Sequence, residues 1–215
     1  MIREYTPKNA DILLWMPVRL YEYTICTVLG QPFHHASLVR VTADGNISVL
    51  DQNVDFVSEN PQDLRTLLKK YKFAVLRAEW LTRTNRKRIV DFFNKMRTAA
   101  YSYRGAWKTL FYTRFSKAIK DDAELVYFDS AIDPYIIVKN RYTNDVRVVK
   151  SYTCAGLVNL CFLRVTKVNL CPNKPAEWVS PIDIYDSKFL TNLGIVGPTT
   201  KLVIPAGSKT DLTSE

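Results

Sequence analysis

The stretch Ala155 to Leu163 constrains the fold more than any other part of this chain, because it reads as an apolar helix that opens at Cys154. A helix that is apolar over most of its surface has to be enclosed, so the remaining elements must supply layers that cover it. The chain has 215 residues, 47% of them hydrophobic. That suffices for one domain with a well-filled core, or one domain plus an elaboration.

Strand and turn signals supply the covering layer. Ala36 to Val41 reads as a strand and Ile47 to Leu50 as a second, with the turn-rich Thr42-Ala43-Asp44-Gly45-Asn46 between them. Asn60-Pro61 predicts a helix start, Asn60 as N-cap and Pro61 in the first turn, with Leu64, Leu67 and Leu68 on one face. Phe73 to Arg77 is a short buried strand. Thr84 is placed to cap a second helix whose stripe is Ile89, Phe92, Phe93 and Met96. Arg86, Lys87 and Arg88 crowd its first turn against the helix dipole, which hints at a use beyond stability; a solvated face is the plainer reading. Tyr103 to Ile119 is helical in pattern and dense in aromatics. Glu124 to Val149 predicts two or three strands, and the Pro-punctuated last thirty residues read as irregular. The expected class is α+β, helices segregated from an antiparallel sheet.

The formal charge of +9 favours anionic partners such as nucleic acid, acidic glycopolymers or a lipid surface. No segment approaches the roughly 20 apolar residues of a membrane span. Met1 to Asp11 lacks the apolar core of a signal peptide, and Ile12 to Val18 is short and contains Pro17, so a cytoplasmic or virion-associated chain is expected. Cys26, Cys154, Cys161 and Cys171 show no paired CxxC spacing, and His34 and His35 are the two histidines, so no metal or other cofactor is expected.

Cys154 is the candidate nucleophile. A thiol at a helix N-terminus meets unpaired amides and the positive end of the dipole, which favour the thiolate. Cys161, two turns on with no helix end beside it, is the internal control; Cys26, Cys161 and Cys171 read as structural. His35, at the start of the first strand, is the candidate base, and Asp51, at the end of the second, its orienting partner. An odd loop puts both side chains on one face, directly opposite if centred on Ala43; a two-residue Asp44-Gly45 turn puts them on opposite faces. The register decides, and the sequence leaves it open.

The order of motifs resembles the circularly permuted papain-like hydrolases of the NlpC superfamily, with bacterial and viral members. Ala10-Asp11-Ile12-Leu13-Leu14-Trp15 resembles the family's opening strand, His35-Ala36-Ser37-Leu38-Val39 its His strand, and Val49-Leu50-Asp51 the strand ending in its third polar residue. Phe73-Ala74-Val75-Leu76-Arg77, Tyr101-Ser102-Tyr103, Tyr152-Thr153-Cys154-Ala155-Gly156-Leu157-Val158 and Ser180-Pro181-Ile182-Asp183 resemble the motifs that follow. The resemblance covers about residues 10–111 and 150–190 of a single hydrolase domain, with an insertion at about 112–150. Three departures stand out: Ala10 where Gly is usual, Gly156-Leu157 where an acidic residue is common, and a longer span between Tyr103 and Cys154.

The resemblance implies a Cys154–His35–Asp51 triad, His34 as fallback base, and oxyanion support from the Cys154 amide with Tyr103 or Tyr152. It implies a cysteine peptidase or amidase, first of all on peptidoglycan. A phage protein, packaged in the virion among other virion proteins or released at lysis, would use its positive charge to adhere to anionic wall polymers. Two other readings compete: an intracellular acyl-transfer or thioester/amide hydrolase, marked by an apolar channel beside Cys154, and an idle structural or binding protein that uses Arg83, Arg86, Lys87 and Arg88 on nucleic acid.

Overall fold

The computed structural model describes residues 1–52, 61–96, 123–127, 136–140, 146–149, 153–172, 174 and 179–204. Its centre is a six-stranded, wholly antiparallel sheet. In spatial order the strands are β10 (Thr191–Val196), β6 (Phe73–Arg77), β2 (Ile12–Trp15), β3 (His35–Val41), β4 (Ile47–Leu50) and β5 (Gln62–Asp63). β1 (Glu4–Tyr5) pairs in parallel with β11 (Lys201–Leu202). β7 (Ala123–Tyr127), β8 (Ile136–Asn140) and β9 (Val146–Val149) form a separate antiparallel sheet within the expected insertion. Among the described residues the architecture is α+β without a closed barrel.

Successive side chains on a strand point to opposite faces, and both faces of the central strands are covered. Ile12, Leu14, Ala36, Leu38, Leu50, Ala74 and Leu76 join one core cluster with α3 (Arg83–Met96) and α4 (Cys154–Thr166). Leu13, Trp15, Val39, Val49, Phe73 and Val75 join a second with Leu64, Leu67 and Leu68 of α2 (Leu64–Leu68). This explains why Ile12–Trp15 is apolar throughout instead of alternating. On α4, every residue from Cys154 to Leu163 is buried, as its composition requires.

Several boundaries differ from expectation. Gln62 and Asp63 form the edge strand β5, paired with β4, so the chain is still extended there. The cap of α2 is Asp63, which accepts the Thr66 amide at 2.9 Å; Asn60 lies outside the described residues. The cap of α3 is Thr82, accepting the Asn85 amide at 3.2 Å, while Thr84 sits inside the helix. Arg86 does not serve an exposed basic face. It is buried, donates to the Ala78 carbonyl at 2.6 Å and approaches Asp11 at 3.8 Å. Among the elements with no counterpart in the sequence reading are α1 (Leu20–Leu29), ended by Gly30 at φ 64°, and the edge strand β10. The C-terminal part is also more regular than its prolines suggest, since Pro181 opens α5 (Pro181–Tyr185) and Asp183 accepts the Ser180 amide at 2.8 Å.

A buried ionic cluster ties the start of the sheet to α3. Asp11, fully buried, accepts Nε and Nη2 of Arg77 at 2.7 Å each, the Tyr5 hydroxyl at 2.7 Å and the Lys8 amide at 2.9 Å. Arg77 also donates to the Thr6 carbonyl at 2.8 Å. Ala10, just before, holds φ 64°. That left-handed backbone costs a side-chain-bearing residue about 1–2 kcal/mol.

Candidate active site

The hairpin register settles the question left open by the sequence. Leu38 faces Leu50 and Val41 faces Ile47, so the connection is the five residues Thr42–Asn46, centred on Asp44. Thr42 and Asn46 close it, the Thr42 amide donating to the Asn46 carbonyl at 3.0 Å, and Gly45 supplies φ 82°. Continued by one residue, the same register sets Asp51 opposite Ser37, two residues from His35. His35 and Asp51 therefore share a face as diagonal neighbours, within reach of long side chains. Of the two alternatives the odd loop is the one present, its centre shifted by one residue from Ala43. Nε2 of His35 hydrogen-bonds Oδ1 of Asp51.

Cys154 joins them from the other layer. It is the first residue of α4, and its side chain is hydrogen-bonded to His35 and to the Ala36 amide. With Nε2 engaged by Asp51, Nδ1 is the ring nitrogen left for the sulfur. Thr153 fixes the start of the helix: its hydroxyl accepts the Gly156 amide at 3.0 Å. Like any first-turn amides, those of Cys154 and Ala155 have no partner carbonyl within the helix.

The electrostatics follow from this chain of contacts. Burial alone would raise the Cys154 thiol, but the charge of His35, its hydrogen bond and the Ala36 amide outweigh burial and hold the thiol below its usual range. Burial would also lower His35, yet the charges of Asp51 and Cys154 and the hydrogen bonds to both raise it well above the usual histidine range. The combination favours thiolate beside imidazolium. The other cysteines behave oppositely. Burial pushes Cys26 up to about 11 and raises Cys161 and Cys171 as well.

His34 does not occupy the base position. Its ring stacks on His35 with centroids 6.4 Å apart, and its Nε2 lies 3.9 Å from Glu22. Burial, followed by the neighbouring His35 charge, lowers it to about 4, so it is neutral at neutral pH. Glu22 in turn accepts the Val18 and Arg19 amides at the start of α1, at 2.7 and 2.9 Å. Two contributors went unnoticed in the sequence. Trp15 packs edge-on against His35, centroids 5.7 Å apart, and donates from its indole to Ser37 at 2.8 Å. The Ala36 amide on the sulfur belongs to the backbone, so residue type could not announce it. Tyr103 and Tyr152 lie outside the described residues.

Among the described residues no group of three or more His, Cys, Asp or Glu side chains is arranged to hold a metal, and no helix is long and apolar enough to cross a membrane. No family model and no curated protein matches the chain. Among solved structures, the fold is similar to that of the metalloprotein yiiX from Escherichia coli O157:H7, a DUF1105 protein. The TM-score is 0.57 over 90% of this chain and 100% of that one, at 12% identity. A likeness at that identity speaks for the fold alone.

Proposed function

We propose that the chain is a circularly permuted papain-like cysteine hydrolase that cleaves a peptide or amide bond, with peptidoglycan as its substrate and a phage particle or phage lysis as its setting. One observation carries the reading. Cys154, at the N-terminus of α4, is hydrogen-bonded to a histidine that a carboxylate holds from its other side. That is the arrangement an activated sulfur nucleophile needs. The motif order and the chain's positive charge support the family and an anionic wall polymer as its surroundings.

In this mechanism the Cys154 thiolate attacks the scissile carbonyl carbon, and the first-turn amides of α4 stabilise the oxyanion. The C–N bond breaks as the His35 imidazolium gives its proton to the leaving amine, which departs and leaves a thioester on Cys154. Neutral His35 then takes a proton from water as the water attacks the thioester. Collapse releases the carboxylate product and restores the ion pair. Asp51 orients the ring and stabilises its charged form throughout.

The test is digestion of purified peptidoglycan sacculi by wild type, Cys154→Ala and His35→Ala, with mass spectrometry of the released fragments. Wild type should release fragments with new amino and carboxyl ends, and both variants should release none. Equal release by Cys154→Ala would overturn the mechanism. No release by wild type, with Cys154 reactive toward alkylators, would remove peptidoglycan as the substrate.

A further inference from the structure

The sequence of α1, Leu-Tyr-Glu-Tyr-Thr-Ile-Cys-Thr-Val-Leu, has one charged residue, Glu22, and the fold turns that residue inward. Glu22 and Cys26 form the buried side. Tyr21, Ile25 and Val28, at spacings of four and three, form an exposed stripe, with Leu20 (84% exposed) and Tyr23 beside it and Val18 just before the helix. A surface helix in a solvated protein normally carries charged residues on this side. Here the outward face holds apolar, tyrosine and threonine side chains instead.

Basic residues rim one end of this face. Arg19 precedes the helix and lies over the Tyr21 ring at 6.0 Å. The Met16 amide donates to the Lys72 carbonyl at 3.0 Å, which brings the segment Lys69-Lys70-Tyr71-Lys72 beside the approach to α1. Tyr71 interacts electrostatically with Arg19, and Lys69, Lys70 and Lys72 are all exposed.

We infer that α1 is a docking surface for an anionic lipid bilayer, lying in the plane of the interface. Its apolar stripe enters the headgroup boundary, its tyrosines sit where amphipathic rings are favoured, and the Arg19–Lys72 rim meets the lipid charges. Ten residues make about 15 Å of helix, half the thickness of a hydrocarbon core, so α1 lies on the membrane and does not cross it. Charge decides against a second copy as occupant, because a symmetric contact would set two basic rims of chains carrying +9 against each other. The face is borne by the helix whose inner side holds Glu22 against His34, so docking sets the histidine pair behind the membrane-facing helix.

The experiment is co-sedimentation of the full chain with vesicles of phosphatidylcholine alone or mixed with phosphatidylglycerol, at increasing salt. The comparison set is wild type, Leu20→Gln/Ile25→Gln/Val28→Gln, Lys69→Gln/Lys70→Gln/Lys72→Gln and the single Leu20→Gln. Wild type should bind the anionic vesicles and lose binding with salt. The α1 triple variant should lose partitioning on the order of 100-fold, and the lysine variant should bind with a flatter salt dependence. Leu20→Gln, at the most exposed of these positions, should show a smaller loss while melting like wild type, which guards against misfolding of the triple variant. Absence of binding to anionic vesicles, or binding that no α1 variant weakens, would overturn the inference. A wild-type dimer dissolved by the α1 variants without vesicle binding would assign the face to self-association. Cys154→Ala should bind like wild type, so the outcome is independent of the hydrolase reading.

Discussion

Removing the His35 side chain should convert Cys154 from a reactive to an ordinary buried thiol. In His35→Ala the sulfur keeps its burial and the Ala36 amide but loses the charge and hydrogen bond of the imidazole, leaving desolvation as the main influence. Cys161 shows where that leads, since burial alone puts it well above 9.0. A thiol at or above that value is at most about 0.1% ionised at pH 6, and a sulfur kept ionised by its imidazolium sets the upper limit for the difference. The loss of thiolate is therefore on the order of 1000-fold. A more basic thiolate is intrinsically more nucleophilic and recovers about half of this on a logarithmic scale, leaving a drop of roughly 30-fold. The assay is iodoacetamide alkylation of each cysteine, followed by mass spectrometry from pH 5 to 9. Wild-type Cys154 should react fast and nearly independently of pH, while Cys154 in His35→Ala should rise about tenfold per pH unit. Equal rates at pH 6, or a wild-type Cys154 with the pH slope of an ordinary thiol, would refute the ion pair.

The pH dependence of stability should carry the mark of His34. Its pKa falls from 6.5 to about 4 on folding, so the unfolded chain binds the proton first as pH drops. Stability should fall from pH 6.5 down to about 4, by about 3 kcal/mol at 1.36 kcal/mol per unit. Glu22, whose pKa is lowered, adds a loss only at pH values below its ordinary 4.5. Urea midpoints across this range should show a shallower decline in His34→Asn than in wild type; parallel curves would show that His34 is not held neutral. In the ionic cluster, Arg77→Met leaves the fully buried Asp11 carboxylate without its main partner and should cost about 3–5 kcal/mol in urea unfolding. Adding Asp11→Asn should recover a large part of that loss, and no recovery would mean that Arg77 acts through packing.

The fold was legible where an element's signal is local and strong. Ala36–Val41, Ile47–Leu50 and Phe73–Arg77 carry β-branched and apolar residues between turn signals, and all three lie in the central sheet. The Cys154 helix announces itself by composition. What was missed lacks this contrast. α1 is apolar on its exposed side as well as around Cys26, so no stripe stands out from its background. β10 is an edge strand with an irregularity between Asn192 and Gly194, where Gly194 holds φ 111° and breaks the alternation. The caps were misplaced for a related reason: Asp63 ends extended chain whose pairing is set by contacts distant in sequence, such as Val49 with Gln62, and Thr82 follows a turn in which the Leu81 amide donates to the Ala78 carbonyl.

The site was legible as residue types but not as a geometry, and the difference comes down to one residue of register. Cys154, His35 and Asp51 each have an ordinary structural explanation alone. Their joint meaning depends on whether the hairpin loop is odd, and sequence weighs Asp44-Gly45 as a two-residue turn about as well as it weighs a longer loop. The five-residue closure, held by Thr42 on Asn46, makes it odd. Moving the centre from Ala43 to Asp44 changes the relation from directly opposed to diagonal. The diagonal arrangement also sets Ser37, not His35, across from Asp51, with Trp15 bonded to Ser37 and edge-on to the His35 ring. The imidazole is thus held from one side by the carboxylate and from another by an indole that is itself tied down. Freed of Trp15, His35 would keep its charge partners but lose the wall that fixes the ring plane. The hairpin register brings the carboxylate to the ring, and the separate β2–β3 register, with Trp15 opposite His35, supplies its packing support.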